Sequence, residues 1–191
     1  MASARYSAVV FDMDGLLLDS ERPTRDAWLQ AAAEHRVALS EADYLGLVGL
    51  NHADSGRQLL ALFGGDAARL DRTARRVEAL LALARPFEPK PGALRLLRTL
   101  RSAGVAVAVA SSTHRDEVGR RLAAAGLLSY VDAACGGDDV VRGKPAPDLY
   151  RLALARIGAA AASAIAFEDS GHGVQAAIGA GIATVAVPDL K

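Results

Sequence analysis

Five short apolar runs, each closed by a turn or a polar loop, constrain the fold of this chain most. They cover residues 8–11, 105–109, 131–135, 164–167 and 184–187. Runs this short are strands rather than core helices, and their unbroken apolarity suits strands buried on both faces. Helical stripes fill the gaps between the later runs. Leu96, Leu97, Leu100 and Ala103 precede Gly104; Val118, Leu122 and Ala125 precede Gly126; Val174, Ala177 and Ile178 precede Gly181. Each glycine stands where a helix closing on a left-handed residue places one. Strand and helix in alternation predict an α/β fold, a doubly wound parallel sheet with ligands at the carboxyl ends of its strands.

The first and second runs lie too far apart for one crossover. The segment between them reads as almost wholly helical. Thr24, Trp28, Ala31 and His35 share one helix face, and Leu70, Ala74, Val77, Leu81 and Ala84 share another behind Asp66 as N-cap. Pro86, Pro89 and Pro91 mark the return to the sheet. The expected organisation is an α/β core from residues 1–20 and 89–191, with a helical cap inserted at 21–88.

Composition excludes several classes of function. With 51% hydrophobic and 23% charged residues the chain is not intrinsically disordered. Twenty-two basic residues balance twenty-two acidic ones, so no global charge attracts nucleic acid or an anionic membrane. The longest uncharged stretch, 171–188, is broken by His172, Gln175 and several glycines and does not read as a membrane span. The N-terminal apolar run is too short for a signal-peptide core, and the single Cys135, read as a small buried hydrophobe, has no internal disulfide partner. A cytoplasmic monomer acting on a small molecule is the expectation.

Four polar clusters follow four of the apolar runs. Asp12-Met13-Asp14-Gly15 supplies two carboxylates two positions apart, either a nucleophile beside a proton carrier or a turn whose aspartates cap their own backbone. Ser111-Ser112-Thr113 puts hydroxyls before a helix start, which is either a phosphate site or a simple N-cap at Thr113. Lys144 sits on a stiff Gly-Lys-Pro-Ala-Pro hinge before a helix, either as a phosphate-binding cation or as a solvated surface lysine. It is one of three lysines among nineteen arginines. Glu168-Asp169-Ser170 offers hard oxygen ligands for magnesium or, alternatively, an N-cap. Together they supply a nucleophile, a proton carrier, a hydroxyl, a cation and a metal ligand, the set that phosphoryl transfer requires.

In this order, DMDGLLLDS, ASST, GKPAPDLY and FEDSGHG resemble the motifs of the haloacid dehalogenase superfamily. Nearly the whole chain is similar to the branch with a small helical cap after the first strand, which holds sugar-phosphate phosphatases and beta-phosphoglucomutase. The resemblance implies a magnesium-dependent phosphatase acting through an aspartyl-phosphate. It implies Asp12 as nucleophile, Asp14 as general acid and then base, and Ser111, Ser112 and Lys144 as phosphoryl-binding groups. It implies Mg2+ held by the Asp12 carboxylate, the Asp14 backbone carbonyl and Asp169, with Glu168 behind them or as an extra ligand. Mutases of the branch carry a histidine on the first cap helix where Thr24 stands, and an arginine in the loop matching Gly49-Leu50-Asn51-His52. Dehalogenases lack the second aspartate, which is present here as Asp14. Thr24, Asn51, His52 and Arg57 are therefore the cap candidates for specificity, Arg57 reading otherwise as a solvated surface charge. A sugar phosphomutase and a non-catalytic phosphate-binding module are the alternative readings. Relatives usually continue beyond the fifth strand with a further helix, so the sequence is expected to be a short natural form or a truncated one.

Overall fold

The computed structural model describes residues 6–48 and 52–190, with residues 52 and 53 by backbone alone. Its strands are β1 (Ala8–Phe11), β2 (Ala106–Ala110), β3 (Ala133–Cys135), β4 (Ala164–Glu168) and β5 (Ala183–Ala186). They form one parallel sheet in the order β3-β2-β1-β4-β5. Its helices are α1 (Glu21–Glu34), α2 (Glu41–Leu47), α3 (His52–Leu62), α4 (Ala67–Leu83), α5 (Ala93–Ser102), α6 (Arg115–Ala124), α7 (Asp148–Arg156) and α8 (Gly171–Gly179). None of them is long and apolar enough to cross a membrane.

Two compact units make up the chain. One takes in the residues up to Asp19 together with Phe87–Asp189, and the other is built on Ser20–Pro86. In the first, alternation along β1 divides the core into two layers, because successive strand side chains point to opposite faces. Ala8 and Val10 pack with Leu149, Tyr150 and Ala153 of α7 and with Ala176 and Ala177 of α8. Val9 and Phe11 pack with Ala93 and Leu97 of α5 and with Val118 and Leu122 of α6. The sheet is thus covered on both faces, as its apolar strands require.

The register fixes where function can sit. Phe11 pairs with Val109 on one side and Phe167 on the other. One residue further along, Asp12 is level with Ala110 and Glu168, at the carboxyl end of the central strand. β1 is flanked by strands whose helices lie on opposite faces, and such a switch point leaves a crevice for ligands.

In the second unit, α1 and α4 pack through Ala27, Ala31 and Val77, with Trp28, Leu80 and Leu81 around them. Ala32, Val37 and Phe63 form an adjoining cluster, and Trp28 meets Phe63 edge-on with centroids 6.5 Å apart. Asp66 caps α4 by accepting from the Arg69 amide. Ser40 begins α2 in a capping box with Asp43.

Candidate active site

The strand ladder runs one bond past β1, the Asp12 amide donating to the Phe167 carbonyl at 3.0 Å. The chain then turns away through Gly15, whose φ of +79° suits a residue without Cβ. Leu17 and Leu18 both donate to the Met13 carbonyl, closing the turn. Asp12 is therefore fixed by the sheet, while Asp14 lies on the outgoing loop.

Asp12 faces a buried charge network. The Lys144 ammonium lies 2.5 Å from Asp12 Oδ1 and 2.5 Å from Glu168 Oε1. It also sits 5.3 Å from the centre of the Tyr150 ring, and the Tyr150 hydroxyl donates to Glu168 Oε1 at 3.1 Å. Glu168 Oε2 accepts from the Ser170 amide and hydroxyl, each at 2.9 Å. Ser170 in turn N-caps α8, its hydroxyl accepting from the Gly173 amide. A Cβ at Gly173 would overlap the Glu168 carboxylate, so this position excludes every other residue while Glu168 stays in place.

These contacts set the ionisation of the three groups. Burial pushes the Asp12 carboxyl well above the usual carboxylate range; Lys144 opposes this, and the carboxylates of Glu168, Asp169 and Asp14 add to it. Burial alone would lower the Lys144 ammonium, but Asp12 and Glu168 overcome that and push it up to about 12. Glu168 is held below the usual range despite burial, because Lys144 and Ser170 favour its charged form.

Oxygens of Asp12, Glu168 and Asp169 lie within 4.8 Å of one another, which brings three hard ligands together. Asp12 and Glu168 share the Lys144 ammonium, and Asp169 brings a third carboxylate beside them. Three carboxylate oxygen donors this close suit a hard divalent cation in their chemistry.

The Asp14 side chain belongs to a separate network. Asp14 Oδ2 accepts from the Thr113 hydroxyl at 2.9 Å, with the Ser111 hydroxyl at 3.4 Å. Asp14 Oδ1 accepts from Arg121 Nη1 at 2.8 Å. Ser111 is buried beneath this pair, accepts from the Thr113 amide, and donates its own amide to the Cys135 carbonyl. The Thr113 hydroxyl thus binds Asp14 rather than capping the helix; α6 begins after His114, and Asp138 accepts from the Arg115 amide. Gly136 and Gly137 allow this approach, since a Cβ on either would collide with backbone at Arg115 or Ser112.

The structure thus brings together Asp12, Asp14, Ser111, Lys144, Glu168 and Asp169, all from the first unit. Ser112 stands exposed beside them on the same loop. Thr24 lies half-buried in α1, and Arg57 is exposed on α3 and paired with Asp54. Asn51 lies outside the described residues, as does the side chain of His52. Sequence reasoning missed Thr113 as an Asp14 ligand, and also Tyr150 and Arg121. Thr113 and Tyr150 stand inside quoted motifs, whereas nothing in the sequence separates Arg121 from eighteen other arginines.

Comparison with known proteins gives the family. The profile of the haloacid dehalogenase-like hydrolases matches residues 6–181. The chain belongs to that family. It is 33% identical over 181 residues to validoxylamine A 7'-phosphate phosphatase of Streptomyces hygroscopicus subsp. limoneus, covering 93% of this chain and 83% of the relative. It is 32% identical over 189 residues to fructose-1-phosphate phosphatase YqaB of Escherichia coli, covering 96% and 97%. Among solved structures, CbbY from Rhodobacter sphaeroides in complex with phosphate superimposes with a TM-score of 0.75 at 28% identity, over 96% of this chain and 86% of that one. As a member of this family the chain is a phosphoric monoester hydrolase.

Proposed function

We propose that this haloacid dehalogenase-like hydrolase removes phosphate from a small phosphorylated metabolite, a sugar or sugar-acid phosphate, through an aspartyl-phosphate on Asp12. One observation carries the reading. Two carboxylates two residues apart stand in different environments, Asp12 against a buried lysine and Asp14 among hydroxyls and an arginine. The lysine beside Asp12 supplies the positive charge that lets a carboxylate approach a phosphate dianion, and the Asp14 side chain stands outside that contact.

Asp12 is the nucleophile. One of its oxygens bonds to phosphorus while the bond to the leaving oxygen breaks. The electron pair departs with that oxygen, which takes a proton from Asp14. Asp14, now ionised, accepts a proton from water as the water attacks phosphorus, and the Asp12 carboxylate is released. Ser111, Ser112 and Lys144 bind the phosphoryl oxygens; Lys144 moderates the repulsion between a carboxylate and a phosphate dianion. The Asp12 and Asp169 carboxylates and the Asp14 carbonyl would hold Mg2+, which would supply further charge neutralisation at the phosphate. Glu168, with both oxygens already engaged, anchors Lys144.

Thr24 supports water as the acceptor, because threonine is no base near neutral pH. The cap residues Thr24, Asn51, His52 and Arg57 are the proposed source of substrate choice.

The test is a screen of phosphorylated metabolites with magnesium, reading released phosphate, beside Asp12→Asn. Wild-type protein should release phosphate and the folded variant should not; near-wild-type turnover by Asp12→Asn would overturn the reading. A hexose monophosphate followed by phosphorus NMR, with a trace of sugar bisphosphate, checks the acceptor. Inorganic phosphate should dominate, and an isomeric sugar phosphate in its place would favour a mutase.

A further inference from the structure

Arg121 has a place in the site that phosphate binding does not explain. Two of its three guanidinium nitrogens donate to protein groups. Nη1 donates to Asp14 Oδ1 and Nε to Glu117 Oε1, each at 2.8 Å, and the group lies 5.0 Å from the centre of the Phe87 ring. The helix beneath it is rigidly seated, since the flanking Val118 and Leu122 are both fully buried. Thr113 holds the other oxygen of the same carboxylate. An aspartate bonded at both oxygens, from two different directions, keeps neither of its side-chain torsions free.

We propose that Arg121 is a positioning residue for proton transfer, setting the direction of the Asp14 carboxyl group toward the leaving oxygen. The proposal rests on the phosphatase reading, in which Asp14 protonates that oxygen. Arg121 does not touch the substrate. It acts through Asp14, with Glu117 and Phe87 fixing the guanidinium in its turn. A lysine would keep the charge but not the planar fork that serves Glu117 and Asp14 together.

Leaving groups differ in their need for Asp14, and this gives the test. A sugar alkoxide must be protonated as it leaves, whereas nitrophenolate leaves without a proton. The ratio kcat/KM extends only to the first irreversible step, departure of the leaving group, so the later attack of water does not enter. Wild type, Arg121→Met, Arg121→Lys and Asp14→Asn are compared on the best sugar phosphate of the screen and on 4-nitrophenyl phosphate, each variant first shown to be folded by thermal denaturation.

Arg121→Met should lower kcat/KM for the sugar phosphate about 10- to 100-fold, through kcat with KM nearly constant. For 4-nitrophenyl phosphate the loss should stay below about threefold, and Arg121→Lys should recover part of the sugar-phosphate activity. Equal losses on both substrates would overturn the proposal, as would no loss on either while Asp14→Asn is impaired on the sugar phosphate. Full sugar-phosphate activity in Asp14→Asn would instead overturn the acid assignment, and this proposal with it. Should Arg121→Met not fold, Arg121→Lys decides on the same comparison, with a loss of about 3- to 10-fold expected for the sugar phosphate alone.

Discussion

Lys144 holds two carboxylates in a place from which water is largely excluded, and its removal should be felt before any substrate is added. Lys144→Met leaves Asp12 and Glu168 facing each other without a counter-charge, an arrangement that costs about 3–5 kcal/mol when one partner of a buried pair is deleted. The pH dependence carries a sign. A carboxyl group whose folded pKa is raised binds its proton more readily folded than unfolded, so stability rises as pH falls through the raised value. Asp12 is already raised by burial, and losing Lys144 raises it further. Urea denaturation in chelator should therefore show Lys144→Met gaining stability, relative to wild type, as the pH is lowered from neutrality. A difference that stays constant as the pH falls would count against the network. Gly173→Ala should displace the Glu168 carboxylate and lower kcat/KM for the best sugar phosphate, with the helix content unchanged by circular dichroism. At this scale the sequence revealed residues whose chemistry is unusual for their position: paired aspartates at a strand end, and a rare lysine between glycine and proline. It hid residues that act only through another side chain, such as Arg121 and Thr113, because their role depends on a neighbour about a hundred positions away.

Among the elements, α6 bears most directly on the site, because it carries Arg121 and begins beside Thr113. Leu122, fully buried against Val107, Val109 and Leu97, is the residue that seats it. Leu122→Ala should cost about 2–5 kcal/mol, measured by urea denaturation. In the helical unit, Ser40→Ala removes one half of a capping box and should cost about 1 kcal/mol. The strands were legible to within a residue or two, because a continuous apolar run closed by a polar loop has few alternatives. The helix stripes were less so. Leu96 and Ile178, placed on apolar faces by periodicity, are exposed; Ala177, on the same stripe as Ile178, is buried, and Ala93 and Ala176, outside the stripes, fill the core with it. In a chain this rich in alanine, small residues let helices pack close to the sheet, and periodicity of the large residues alone does not identify the buried face. The capping box of Ser40 and Asp43 was visible in principle but lies in a segment read only as helical.

For the whole molecule, a divalent cation held by the carboxylates at the sheet's carboxyl end would couple metal binding to both stability and activity. Excess chelator should abolish phosphate release and magnesium should restore it. Magnesium should also raise the thermal midpoint of wild type and do so much less in Asp169→Asn, a difference readable without turnover. Full activity in chelator would rule out the metal's role. The doubly wound sheet was legible in the sequence, because strand and helix alternate in order through the second half of the chain. The proposed source of substrate choice was not, since it would rest on a few side chains of the helical unit whose spacing follows no general rule. The central claim is that phosphate passes through a covalent bond to Asp12. The most direct measurement is to mix the protein with magnesium and the best substrate of the screen, quench during turnover, reduce with borohydride and map the peptides by mass spectrometry. An acyl phosphate at Asp12 should be reduced to homoserine there, in wild type and not in Asp12→Asn. Rapid phosphate release with no modification at Asp12, or with modification at Asp14 or Asp169 instead, would contradict it.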